Sequence, residues 1–210
     1  MEYERTLKVE EIEVRQINIV DSKGTRRMAI FNGDSFPEAV MDGEVLSRNG
    51  NQNGAAGMLF YNEDGDECGG LVYANSGAML MFDQHKQDQI IGFSYDEQQD
   101  GKREYGLNIW DRPDVPLREV IEIATPVMNM ENGPEKQSEW KRLQAEGILG
   151  AQRMFAGHSQ DGAISVSLSD KKGTPRLRMR VDSDDNPQIE FLNSRGEVVY
   201  RLPPDGISMD

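Results

Sequence analysis

A mainly β protein is predicted: two antiparallel β-meanders, forming a barrel or a sandwich, separated by a short helical segment. Three observations predict it. Apolar and polar residues alternate with period two, as in Ile17-Asn18-Ile19 and Ile164-Ser165-Val166-Ser167-Leu168, the pattern of a strand with one wet face. Turn signals recur at the short intervals of hairpins, too close for βαβ units. Between residues 113 and 150 the period changes to that of a helix.

The turns share a chemistry. Asp21-Ser22-Lys23-Gly24, Asn62-Glu63-Asp64-Gly65, Asp170-Lys171-Lys172-Gly173 and Asn193-Ser194-Arg195-Gly196 all read Asp/Asn-x-x-Gly between apolar segments. The first side chain can accept backbone N–H groups just ahead of it. The glycine takes a positive φ without a Cβ penalty, which suits a type I turn with a following bulge. The segments Asp21–Arg27 and Asp170–Arg176 agree at five of seven positions. Either hairpin chemistry converged, or a meander was duplicated and the two hairpins play equivalent roles.

In chain order, strands are expected over residues 13–20, 26–32, 57–62, 68–74, 78–84, 89–95 and 104–110. The stretch from Phe36 to Gly57 is long, polar and turn-rich, with Asp42-Gly43-Glu44 and then Arg48-Asn49-Gly50-Asn51-Gln52-Asn53-Gly54. It reads as a loop. Leu117, Val120, Ile121 and Ala124 have helical spacing, and Pro126 limits that helix. Asn132-Gly133-Pro134 begins a second helix, with Glu135 at its positive end. Trp140, Leu143 and Ile148 form its apolar side, and Gly147 caps it. Strands resume over 152–157, 164–169, 176–182, 188–193 and 197–202. Leu177, Met179 and Val181 point one way there; Arg176, Arg178 and Arg180 point the other, beside the serines at 165, 167 and 169. A slip of one residue would bury the arginines, so the register is well determined. The organisation is therefore residues 1–112 as first meander, 113–150 as helical connection and 151–210 as second meander, packed with the first as one unit.

Composition excludes several function classes. The 210 residues carry 23 Lys+Arg and 37 Asp+Glu, a net charge of −14. Residues 1–150 hold 15 basic and 28 acidic residues, a balance of −13; residues 151–210 hold 8 and 9, a balance of −1. Such a chain repels a phosphate backbone and an anionic lipid surface, so neither nucleic acid nor membrane is an expected partner. No apolar run approaches the ~20 residues of a membrane helix. Met1–Arg5 is acidic and no apolar stretch follows, so no signal peptide is expected. The one cysteine, Cys68, cannot form an internal disulfide, which fits a reducing compartment. Cytoplasm is the expected location.

No catalytic residue, cofactor or metal site is assigned. The chain has no phosphate loop, GxGxxG, GxSxG or HExxH. Asn62–Glu67 resembles a calcium loop superficially, but its glycine is fourth rather than sixth and position twelve is Tyr73. Cys68 follows four acidic residues, which raise a thiol pKa and disfavour nucleophilic chemistry.

Two candidate sites remain. Asp83, Gln84, His85 and Asp88 form a polar cluster between two apolar strands, joined by Asp111 and Arg112 at the end of the first meander; they are candidates for ligand binding. The simplest reading of the cluster is a solvated hairpin tip. Arg176, Arg178 and Arg180 are the candidate interaction face, unless they lie on a solvated sheet face paired with acids such as Asp182 and Glu190. The segments Gly57–Gly65, Gly69-Gly70-Leu71, Phe82-Asp83-Gln84, Asp88-Gln89 and Asp111-Arg112-Pro113 together resemble a group of bacterial proteins. The resemblance implies a bacterial source and brings no activity, cofactor or site.

The first functional expectation is a non-catalytic binding or assembly protein, its partner a small molecule or a protein, with homo-oligomerisation through meander edges. The second is a small-molecule carrier or barrel enzyme, its interior lined by Met58, Phe60, Met79, Met81 and Phe93 and its mouth by Asp83, His85 or Asp88. A cavity near those residues would favour the second.

Overall fold

A computed structural model of the chain describes residues 6–46 and 54–204. It is a mainly β fold with fourteen strands and two helices among these residues. In order, β1 (Gln16–Val20), β2 (Arg26–Phe31), β3 (Val40–Met41), β4 (Glu44–Val45), β5 (Ala56–Tyr61), β6 (Glu67–Ala74), β7 (Gly77–Asp83), β8 (Gln89–Glu97) and β9 (Arg103–Asp111) precede α1 (Leu117–Met128) and α2 (Pro134–Ala145). Then follow β10 (Ala151–His158), β11 (Ile164–Ser169), β12 (Pro175–Val181), β13 (Pro187–Leu192) and β14 (Val198–Leu202).

Twelve strands form one antiparallel sheet in the order β1-β2-β5-β6-β7-β8-β9-β10-β11-β12-β13-β14. The barrel alternative fails: the sheet is open, with β1 and β14 at its two ends. The meanders do not face each other. They join edge to edge where β9 pairs with β10, Phe155 opposite Asn108 and Gly157 opposite Gly106.

The Asp/Asn-x-x-Gly turns form by the expected chemistry. Asp21 Oδ1 accepts the N–H groups of Lys23 (2.8 Å) and Thr25 (3.0 Å), and Gly24 adopts φ 87°. Asp170 repeats this with Lys172 (2.9 Å) and Thr174 (3.1 Å), with Gly173 at φ 81°. The equivalence extends to the neighbouring strand. Arg27 Nε donates to the Tyr61 carbonyl at 3.3 Å, and Arg176 Nε to the Leu192 carbonyl at 3.0 Å. Each arginine also pairs with its own hairpin aspartate.

Two elements differ from expectation. The segment read as a loop holds the small hairpin β3–β4, because Asp42 and Gly43 take positive φ (54° and 73°) between apolar flanks. The polar stretch at 47–53 lies outside the described residues. Pro126 sits inside α1 instead of ending it. The helix runs on because Val127 is buried against Leu143 of α2, which offsets the one backbone bond a proline removes.

The sheet has two unlike faces. On one, the β2 and β5 side chains Ala29, Phe31, Leu59 and Tyr61 form a buried cluster with Phe36 and Val72. The α1–α2 pair, with its own core of Ala124, Val127 and Leu143, belongs to this side, since helix and strand side chains line one cleft. On the other face, cross-strand register defines two uninterrupted rows. One runs from Ile17 on β1 through Leu71, Phe93, Ala156 and Met179 to Leu202 on β14; all twelve of its positions are apolar. The second runs from Ile19 through Phe60, Phe82, Ile109 and Leu177 to Tyr200, with Gly69 as its one position lacking a side chain. This face is open: Phe93 is 56% exposed, Phe82 49% and Met179 44%.

Candidate functional site

The covered side of the sheet encloses a cleft of about 910 Å³. Its floor is made by inward side chains of the central strands, chiefly Leu59, Val72, Met79 and Met81. Period-two alternation puts these opposite the exposed rows, so each strand serves both faces. The roof is helical: Ile121, Ala124 and Met128 from α1 with Trp140 from α2. Phe36 and Met41, from the segment bearing β3–β4, close one side.

Polar groups border both ends: Ser76, Tyr95 and Asp96 lie at one, and Asp83, Gln87, Asp88, Gln89 and Arg112 at the other, beside the turn from β7 to β8. The turn joining β7 to β8 anchors the roof. Gln87 is buried, and its Nε2 donates to the Val115 carbonyl at 2.7 Å while its Oε1 accepts the Asp88 N–H at 2.9 Å. The Leu117 N–H, first of α1, donates to the Lys86 carbonyl at 2.9 Å. Lys86 itself adopts φ 55° and reaches Asp42 on the small hairpin, Nζ to Oδ1 2.5 Å. That hydrogen bond holds the Asp42 carboxyl below the usual carboxylate range and raises the Lys86 ammonium. Arg118 of α1 pairs with Glu44 at 2.6 Å. Helix, hairpin and turn are thus tied together around the opening.

Arg112 is largely enclosed, its side chain 12% exposed. Its Nε donates to the Gln89 carbonyl at 2.7 Å, and Nη2 lies 3.5 Å from the Asp88 carboxylate. The guanidinium lies over the Trp110 ring, 5.8 Å from its centre.

The residues of the polar cluster therefore separate. Asp83, Asp88 and Arg112 meet at the cleft. Gln84 and His85 stand on the turn, and His85 is exposed. Asp111 pairs with Arg153 on β10. Among the expected lining residues, Met79 and Met81 line the cleft, but Met58, Phe60 and Phe93 belong to the opposite face. An open sheet gives a strand two outsides rather than an inside and an outside, which is why the barrel assignment misplaces these three.

The arginine stripe lies on the same side as the cleft, in the unroofed half. Arg178 and Arg180 stand opposite Ser167 and Ser165 as the alternation predicts. Each arginine has an acidic partner: Arg176 with Asp170, Arg178 with Glu190, Arg180 with Asp161. Glu190 also receives Arg201 at 2.8 Å and is almost fully enclosed by the two arginine stems. Cys68 is partly buried; burial first, then Asp83 and Glu67, push its thiol up. Among the described residues no group of three or more His, Cys, Asp or Glu side chains is placed to hold a metal ion, and no helix is long and apolar enough to cross a membrane.

Sequence reasoning missed Gln87 and the depth of the helical wall. A buried glutamine that bonds only to backbone leaves no periodic signal. The wall was half visible, since Ile121 and Ala124 follow the helical stripe. Compared with known protein families and with curated proteins, the chain matches none.

Proposed function

We propose that this chain is a non-catalytic binding protein, of the bacterial cytoplasm, that holds an apolar small molecule between its sheet and its two helices. The observation that carries this reading is the cleft: about 910 Å³ in volume, walled by methionine, leucine and aromatic side chains, with a few polar groups at its ends. Ligand sites typically have volumes of about 300–1,000 Å³, mostly apolar walls and a few convergent polar groups. Methionine walls adapt to irregular ligands. The end beside the β7–β8 turn, where the charges cluster, sets a preference. Asp83 and Asp88 outnumber Arg112 there, so a neutral or cationic head group is favoured over an anionic one. Catalysis by Asp83, His85 and Asp88 is disfavoured because His85 stands outside the cleft wall.

Trp140 in the roof provides the test. The neutral dye Nile red, titrated into the protein, is expected to take excitation energy from Trp140 in a saturable way. Ala124→Phe fills the roof and is expected to weaken this binding at least tenfold, with far-UV circular dichroism unchanged. Identical titrations for the two proteins would overturn the reading.

A further inference from the structure

The exposed face of the sheet lies opposite the cleft, and its composition is not that of a solvated surface. In an antiparallel sheet with one wet face, polar residues occupy that face. Here both central rows are apolar from β1 to β14, and their side chains stand open, Ile30 38%, Leu71 44% and Phe191 42% exposed. No charged residue interrupts either row. The largest apolar patch on a monomer is ordinarily about 300–600 Å², and larger ones mark interaction sites.

We propose that this face binds a second copy of the chain, so that two open sheets stack face to face as a β-sandwich made between molecules. Size supports a copy as the occupant. Twelve strands spaced about 4.8 Å apart make a face roughly 50 Å long, and its rows cover a width of roughly 15 Å. That is roughly 800 Å² per molecule, the contribution each partner makes to a standard stable interface. A partner must offer an apolar surface of matching length and no buried charge, and this face itself meets both demands. Stacking then leaves no ionised group unpaired in the seam.

Charge supports it too. A two-fold axis along the strands lays β1 of one copy over β14 of the other. Five strands of the part carrying −13 then lie over the five strands of the part carrying −1, and the acidic parts meet only at the centre, β8 over β9. The same charge disfavours an anionic lipid surface as occupant. The twist of each sheet sets the strands of the two copies about 30° apart, the ordinary angle of an aligned sandwich.

Light scattering coupled to size-exclusion chromatography, at micromolar concentration, tests this. The full chain is expected at twice its 23.6 kDa mass. Phe93→Lys and Met179→Lys, one in each half of the sheet, change positions already open in the single chain; each is expected to give a monomer with an unchanged circular dichroism spectrum and a dimer at least 100-fold weaker. The two substitutions are independent, so a folding failure in one leaves the other decisive. Ala124→Phe, on the opposite face, is expected to remain a dimer. A wild-type monomer at tens of micromolar would overturn the proposal, as would dimers that survive both lysines. So would sedimentation of a monomeric chain with phosphatidylcholine vesicles, which would assign the face to lipid.

Discussion

On the side of the sheet that carries the cleft, the two halves are built from opposite materials. From β2 to β8 the inward positions are Ala29, Leu59, Met79 and Met81, under helices and the small hairpin. From β11 to β13 the equivalent positions are Ser165, Ser167, Arg178 and Glu190, outside the cleft that the helices and the small hairpin roof. Hairpin chemistry, strand length and register logic are the same in both. What differs is the cover. A roofed strand face is apolar, and a bare one is a polar ladder in which each charge has a partner. That contrast gives the third surface its meaning, because the opposite face is apolar in both halves and has no cover among the described residues.

The largest expected effect falls on the roofed half. Leu59 is 1% exposed. Leu59→Ala is expected to cost about 2–5 kcal/mol in urea unfolding, as buried leucine truncations do. A similar loss from Val181→Ala, which is 43% exposed, in the monomeric Phe93→Lys background would break the contrast. Next comes the join between the halves. A Cβ on Gly157 would meet the Tyr105 carbonyl oxygen at 2.1 Å and Gly106 Cα at 2.6 Å. Gly157→Ala is therefore expected to cost about 1–3 kcal/mol by overpacking, with hydrogen exchange rising first along β9 and β10. In the bare half, Glu190 accepts from Arg178 and Arg201 while almost wholly enclosed. Glu190→Gln is expected to cost about 1.5–3 kcal/mol, the net worth of a hydrogen bond to a charged group, read from the urea midpoint.

The smallest effect is on pH. The N–H of Asn186 lowers the Asp182 carboxyl, and the N–H of Ala163, with Arg180, lowers Asp161. A carboxyl depressed on folding contributes stability above its unfolded value, near about 3.9, and loses it as pH falls through the folded value. The urea midpoint is therefore expected to decline below about pH 4, and Asp182→Asn is expected to shallow that decline. An unchanged slope would show that these turns do not hold the hairpins.

Much of the fold was legible because period two and hairpin turns are local signals. Leu177, Met179 and Val181 lie opposite the arginines as read, and four turns were identified from their first and last residues. Long-range geometry was not legible. Alternation says that Phe93 and Met79 belong to different sets; it does not say which set a helix covers. The cleft was legible only at the end beside the β7–β8 turn, where Asp83, Asp88 and Arg112 stood out. Its apolar walls come from segments far apart in the chain. The β3–β4 hairpin was obscured because a two-residue strand is too short to show alternation.

The order of strands along the sheet is nearly the order along the chain, with excursions only at β3–β4 and at the helices. Each hairpin can therefore close on the one before it as the polypeptide leaves the ribosome, with little loop entropy to overcome. The longest loop to close is the one between β9 and β10, which spans the whole helical pair.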